Sequence, residues 1–244
     1  MKKLSLFFSA VMLCLTLTAC GSGEPAKASS VAESDKSIVQ EKLNKTESKS
    51  EQPDETAPAE TADSPDSPET DSGTNILVAY FSRADENYSV GTVEVGNTQI
   101  LAEYIAGEVG ADSFHIETVT PYPADYDECC DVAKQEQKDN ARPEIIGSVE
   151  NTEQYDIVFL GYPIWWGDMP MAVYTFMDSY DWTDKVVIPF CTHEGSGLSG
   201  TDSSIASVTG AQVLTAIDMR GSTAQALNDD TRQTVRSWLD DLGF

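Results

Sequence analysis

The feature that most constrains this chain is a run of six apolar residues, Ile76-Leu77-Val78-Ala79-Tyr80-Phe81, with no alternation of apolar and polar positions. A strand with one wet face alternates. A strand covered on both faces reads as a continuous apolar block, the signature of a parallel sheet sandwiched between helices. Shorter blocks recur at residues 156–160, 185–190 and 213–217, with a more mixed strand at 113–119. Between them the period changes. Residues 98–110 place Ile100, Leu101, Tyr104 and Ile105 on one helical face and end at Gly110, a helix stop. Residues 125–139 predict a polar helix with Pro143 beyond its end, residues 172–179 and 203–208 shorter ones, and residues 229–242 a closing helix with Val235, Trp238 and Leu242 on one face. Five strands alternating with helices predict an α/β fold around one parallel sheet, whose ligand sites lie beyond the carboxyl ends of the strands.

This pattern occupies residues 74–244, about 170 of the 244 residues and enough for one sizeable core. The rest is of another kind. Residues 1–20 carry Lys2 and Lys3, then an apolar stretch at 4–17 too short for an ordinary membrane span, and read as an export signal. It ends in Leu17-Thr18-Ala19-Cys20-Gly21, which resembles the bacterial lipoprotein signal. That resemblance implies cleavage before Cys20, lipidation of Cys20 and a location outside the cytoplasm, anchored to the membrane by acyl chains. Residues 21–73 hold no aromatic residue and are rich in Ser, Thr, Glu, Asp, Pro, Ala and Lys. Such a composition buries too little apolar area to offset the entropy of ordering, and predicts a disordered acidic tether with at most transient helix at 34–49. Fully extended, it reaches on the order of 170 Å.

Charge narrows the function classes. The net charge is −26, and residues 74–244 alone hold twenty-eight acidic and eight basic residues. Nucleic acid is excluded as a partner, since phosphate neutralisation needs Lys and Arg patches. The domain has three cysteines, Cys129, Cys130 and Cys191, without the spacing of a zinc site or a disulfide framework. Its two histidines, His115 and His193, form no metal-ligand cluster.

Three segments at strand ends carry unusual chemistry. After the first strand come Ser82-Arg83, an inserted stretch 84–95, and Gly96-Asn97-Thr98 opening a helix. Hydroxyls, a glycine and a helix amino end suit a terminal phosphate, although Asn and Thr also cap ordinary helices. After the third strand comes Gly161-Tyr162-Pro163-Ile164-Trp165-Trp166-Gly167. Two adjacent tryptophans cannot both face one core, so one is expected over the open sheet end, where it can stack on a flat ligand. After the fourth strand comes Cys191-Thr192-His193-Glu194-Gly195-Ser196-Gly197, whose small residues let backbone N–H groups approach a ligand edge. His193 is either a hydrogen-bond or proton donor there, or a structural loop residue. The Gly-x-Ser-x-Gly elbow of hydrolases is not matched around Ser196.

With Val78-Ala79-Tyr80-Phe81-Ser82-Arg83, Gly96-Asn97-Thr98, the Gly-x-Pro-x-Trp-Trp-Gly stretch, Pro121-Tyr122-Pro123-Ala124-Asp125-Tyr126 and residues 189–197 in this order, residues 76–244 resemble the flavodoxin family. The resemblance implies a three-layer flavodoxin-like sandwich, strand order 2-1-3-4-5, and one flavin mononucleotide (FMN). It places phosphate at Ser82, Asn97 and Thr98, with Arg83 at a variable position of that loop. It places the isoalloxazine ring between Pro163, Ile164, Trp165 and Trp166 on one side and Thr192, His193, Gly195, Ser196 and Gly197 on the other. The insertion at 84–95 departs from the family pattern and is expected as a flap over the flavin or a partner site. Three functions remain open. One is an electron carrier outside the cytoplasm with a basic redox-partner protein and no catalytic side chain. Another is an NAD(P)H-dependent quinone or flavin reductase. The third is a binding lipoprotein that has lost its flavin.

Overall fold

β1 (Ile76–Tyr80) lies between β4 (Asp112–His115) and β5 (Ile157–Pro163), and pairs in parallel with both. β5 pairs in parallel with β6 (Val186–His193), and β6 carries two short strands along its outer edge, β7 (Gln212–Val213) and β8 (Ile217–Arg220). The computed structural model describes residues 26–50 and 75–244; the expected signal, Cys20 and the remainder of the expected tether lie outside the described residues. Setting aside the hairpin of β2 (Asp85–Asn87) and β3 (Gly91–Val93), the sheet runs β4-β1-β5-β6-β7/β8, the 2-1-3-4-5 order of a flavodoxin-like sheet.

The unbroken apolar block of β1 divides cleanly between two cores. Ile76, Val78 and Tyr80 face a cluster that includes Leu101 and Ile105 of α2 (Asn97–Val109) and Val235, Trp238 and Leu242 of α7 (Asp229–Leu242). Leu77 and Ala79, with Phe81 beyond the strand, face the other cluster. That cluster holds Val173, Phe176 and Met177 of α4 (Met171–Asp178) and Ile205 of α5 (Thr201–Thr209). Each large side chain so buried contributes about 1.5–3 kcal/mol. α3 (Tyr126–Asp139) is the polar helix expected, started by Asp125, whose carboxylate accepts the Glu128 N–H at 2.9 Å.

Two expectations are corrected. The fifth strand, expected as one piece at 213–217, is split into β7 and β8 around residues 214–216, and α6 (Gly221–Ala226) follows it directly. The tether expected over 21–73 is not a tether throughout, because Ala26–Ser50 form helix α1 and that helix is seated on the domain. The two corrections have one cause. At the split, Thr215 turns its N–H and hydroxyl to the Asp35 carboxylate of α1 at 2.9 and 2.5 Å, while its carbonyl accepts from Trp238 Nε1 at 3.0 Å. A strand interruption leaves polar groups without ladder partners, and α1 and α7 supply them. Val39 is fully buried in the α7-side core, with Ile38 and Leu43 packed beside it. Gln40 donates to the Gly243 carbonyl, Lys42 to the Asp184 carbonyl, and Asn75 to the Lys42 carbonyl. Most of these contacts are long-range, so the local composition of α1 gave no sign of them.

Asp35→Ala removes a buried acceptor from two donors at once. Its expected cost is about 1–3 kcal/mol, read as a lower urea midpoint for the full chain with unchanged slope.

Candidate functional site

The carboxyl ends of β1, β5 and β6 bring the three expected loops together. Pro163 lies opposite Thr192 in the β5–β6 ladder, and Ile164 N–H donates to the Thr192 carbonyl at 2.8 Å, so the second and third loops leave the sheet zipped side by side. Gly161 is required one step earlier. A Cβ there would fall 2.1 Å from Phe190 Cζ, its neighbour across the ladder.

The first loop is held by its own polar groups. Ser82 Oγ accepts the Gln99 N–H at 3.0 Å and so caps α2 from outside the helix. His115 stacks on Tyr80, with centroids 4.7 Å apart, and donates from Nε2 to the Ser82 carbonyl at 3.2 Å. Gly96 sits tightly under this loop, since a Cβ would lie 2.3 Å from Ser82 Oγ and 2.5 Å from the Arg83 carbonyl oxygen. The Thr98 hydroxyl is buried and paired with the Thr192 hydroxyl at 2.8 Å, tying the first loop to the third. Asn97 Oδ1 accepts from Gln225 of α6 at 2.9 Å. The Arg83 guanidinium donates to the carbonyls of Pro123, Ala124 and Glu86, bracing the β2–β3 hairpin against the start of α3.

The second loop turns sharply. Trp165 and Asp168 exchange two backbone hydrogen bonds, and the residues between them, Trp166 and Gly167, both have positive φ, at 52° and 78°. This is the mirror-image turn geometry that favours glycine. The strain at Trp166 is held by side-chain contacts. Its Nε1 donates to the Cys130 carbonyl at 3.0 Å, and Lys134 Nζ lies 4.6 Å from its ring centroid. Trp165 takes the other direction, edge-on to Phe81 and Tyr122 at 5.3 and 5.1 Å.

The third loop fixes its histidine. Gly195 N–H donates to His193 Nδ1 at 2.8 Å, which puts the proton on Nε2, and Nε2 donates to Asp218 Oδ1 at 2.7 Å. Both ring nitrogens are therefore engaged inside the protein.

A slot of about 130 Å³ lies among these loops, lined by Asn97, Pro163, Ile164, Trp165, Thr192, His193 and Glu194, with Asn87, Tyr88 and Tyr126 at its side. It adjoins a cavity of about 560 Å³ that shares Asn87, Tyr126, Ile164 and Trp165 and extends to Arg83, Trp166, Cys129 and Cys130. Six expected residues thus line the slot, and Arg83 and Trp166 line the cavity. Ser82, Thr98, Gly195, Ser196 and Gly197 line neither; Ser82 and Thr98 position the walls. Within the slot wall, Glu194 Oε1 is buried without a hydrogen-bond partner among the described residues.

The family model for flavodoxin matches residues 75–242. The chain belongs to the flavodoxin family. No curated protein matches it. Among solved structures it is similar to a candidate flavoprotein from Bacteroides eggerthii, at 29% identity over 69% of this chain and 98% of that one, with a TM-score of 0.55. A second candidate flavoprotein, from Bacteroides uniformis, is 26% identical over 68% and 97%, with a TM-score of 0.54. A Lactobacillus acidophilus flavoprotein solved in complex with FMN is 21% identical over 62% and 95%, with a TM-score of 0.48.

Sequence reasoning missed several residues of this flavodoxin's site. Asn87 and Tyr88 reach it because the 84–95 insertion folds as the β2–β3 hairpin, with Tyr88 stacked on Tyr126 at 5.8 Å. Tyr126 belongs to a quoted motif, but only the hairpin contact shows which way it faces. Its phenol is pushed up to about 12, first by the hydrogen bond with Cys130 and then by burial, so it stays protonated near neutrality. Burial also pushes the Cys129 thiol up to about 11 and the Cys191 thiol up to about 12. At pH 8, on the order of one Cys129 thiol in a thousand is the reactive thiolate. Iodoacetamide at pH 8 should therefore modify the half-exposed Cys130 first and spare Cys129 and Cys191, as read by mass spectrometry of the digested protein.

Proposed function

We propose that this flavodoxin binds FMN and carries electrons outside the cytoplasm, tethered to a membrane through lipidated Cys20. The observation that carries the reading is the slot itself. One aromatic wall, one zipped pair of loops and one helix amino end meet at the ligand end of a parallel sheet.

The residues present suit FMN. Gln99 N–H is taken by Ser82 Oγ, and Ile100 N–H reaches the Gly96 carbonyl, which leaves the Asn97 and Thr98 N–H groups as the remaining donors of the first turn of α2. α2 has no acidic residue in that turn, whereas α3 and α7 have two each. A phosphate is accommodated by such an end without a basic cluster. Trp165 and Tyr88 offer flat faces, and the unpartnered Glu194 Oε1 is an acceptor for hydroxyl or ring N–H donors of the cofactor. Bound there, FMN supplies the reversible uptake of electrons, and the protein sets its potential. The chain's own part is to bind, orient and shield. This reading requires no thiol, imidazole or phenol to act as nucleophile or base. The acidic surroundings disfavour added negative charge on the ring and steer the domain toward a basic partner.

The visible absorption spectrum of the purified protein titrated with FMN tests this reading; a protein that stays colourless at saturating FMN refutes it. Anaerobic NAD(P)H separates carrier from reductase, because only a reductase bleaches the bound flavin rapidly. Trp165→Ala should weaken FMN binding about fivefold through loss of stacking worth ~1 kcal/mol. Trp238→Ala, in the core beside α1, should lower stability and leave the dissociation constant nearly unchanged; equal losses in the two titrations would refute the stacking assignment.

A further inference from the structure

Helix α1 lies outside the residues matched by the family model, yet it is locked to the domain at one end only. Its partners sit where strands begin or α7 ends: Asn75 before β1, Asp156 before β5, Asp184 before β6, and Gly243 after α7. Toward its amino end, Val31 and Ala32 lie with Asp241 and Leu242, again at the carboxyl end of α7. The candidate flavin slot is at the opposite end of the sheet, beyond the carboxyl ends of β5 and β6. Those strands are seven and eight residues long, so about 25 Å separates the two ends.

We propose that docked α1 acts as a short rigid mount. It holds the domain close to the membrane with the amino ends of the strands facing the bilayer and the slot facing away. The inference rests on the lipid-anchor reading of Cys20. From Cys20 to Ala26 is six Cα steps, about 20 Å at full stretch. With α1 undocked, the same anchor would reach the domain only at Asn75, across 55 steps and on the order of 190 Å. Seating Val39 and Asp35 therefore converts a long leash into a stand-off of a few tens of ångströms with a preferred orientation. The partner that meets the flavin then approaches from the aqueous side. It is a protein with a basic face, matched to the acidic Asp127 and Asp131 that line the larger cavity, rather than a quinone dissolved in the bilayer.

The test uses the lipidated full chain, loaded with FMN, in phosphatidylcholine vesicles bearing a headgroup-attached quencher. A fluorophore is placed through Glu153→Cys, at the strand-amino end, or Ser196→Cys, in the third loop, each in a Cys130→Ser background. Quenching should be severalfold stronger at position 153 than at 196, and Val39→Asp, which unseats α1, should lower the first and level the two. Flavin absorbance of the Val39→Asp protein confirms that the domain remains folded. Protein that does not float with the vesicles refutes the anchor itself. Protein that floats but shows equal quenching at both positions refutes the orientation, whatever the variant does.

Discussion

β1 is buried along its whole length between β4 and β5, with alternate side chains entering two separate cores. That double burial is the constraint on which the rest depends. It commits both faces of the sheet to helices and leaves the strand ends as the places where loops can meet a ligand. It also demands close fit inside the ladder. Gly161 opposes Phe190 because no Cβ is tolerated there, and the stacked rings of Tyr80 and His115 carry the sheet's order into the first loop. Position at the site is thus inherited from packing in the core.

The loops are organised by satisfying themselves. Ser82, Thr98, Arg83 and His193 are the polar side chains that a sequence reader assigns most readily to a ligand. Each is instead engaged with protein: a helix N–H, a threonine hydroxyl, three carbonyls, or a glycine N–H and a carboxylate. This internal use does not weaken the site. Side chains fixed by second partners hold the backbone donors and aromatic faces in place.

Local pattern made the strands, most helices and the three loops legible, because apolar blocks, turn residues and strand-end glycines act over a few positions. What it left out acts over long range. The split of the outer strand depends on Asp35, 180 residues away from Thr215. The places of Tyr88 and Tyr126 in the site depend on how the inserted hairpin folds across α3. The direction of Trp166, away from its neighbour and onto α3, depends on a positive φ and on the Cys130 carbonyl. In each case the residue type was conspicuous and its partner was not.

The seating of α1 shows how little apolar surface such long-range order needs. The helix is polar and its buried contribution centres on Val39, a side chain worth about 2 kcal/mol when covered. Alone this would not offset the entropy of ordering twenty-five residues. The balance changes because the strand break at Thr215 and the carbonyls of Asp184 and Gly243 give α1 hydrogen-bond partners held in place by the rest of the domain. Pre-organised partners lower the ordering cost of each bond. The same logic makes the seat sensitive: one carboxylate and one valine decide whether α1 stays docked on the domain.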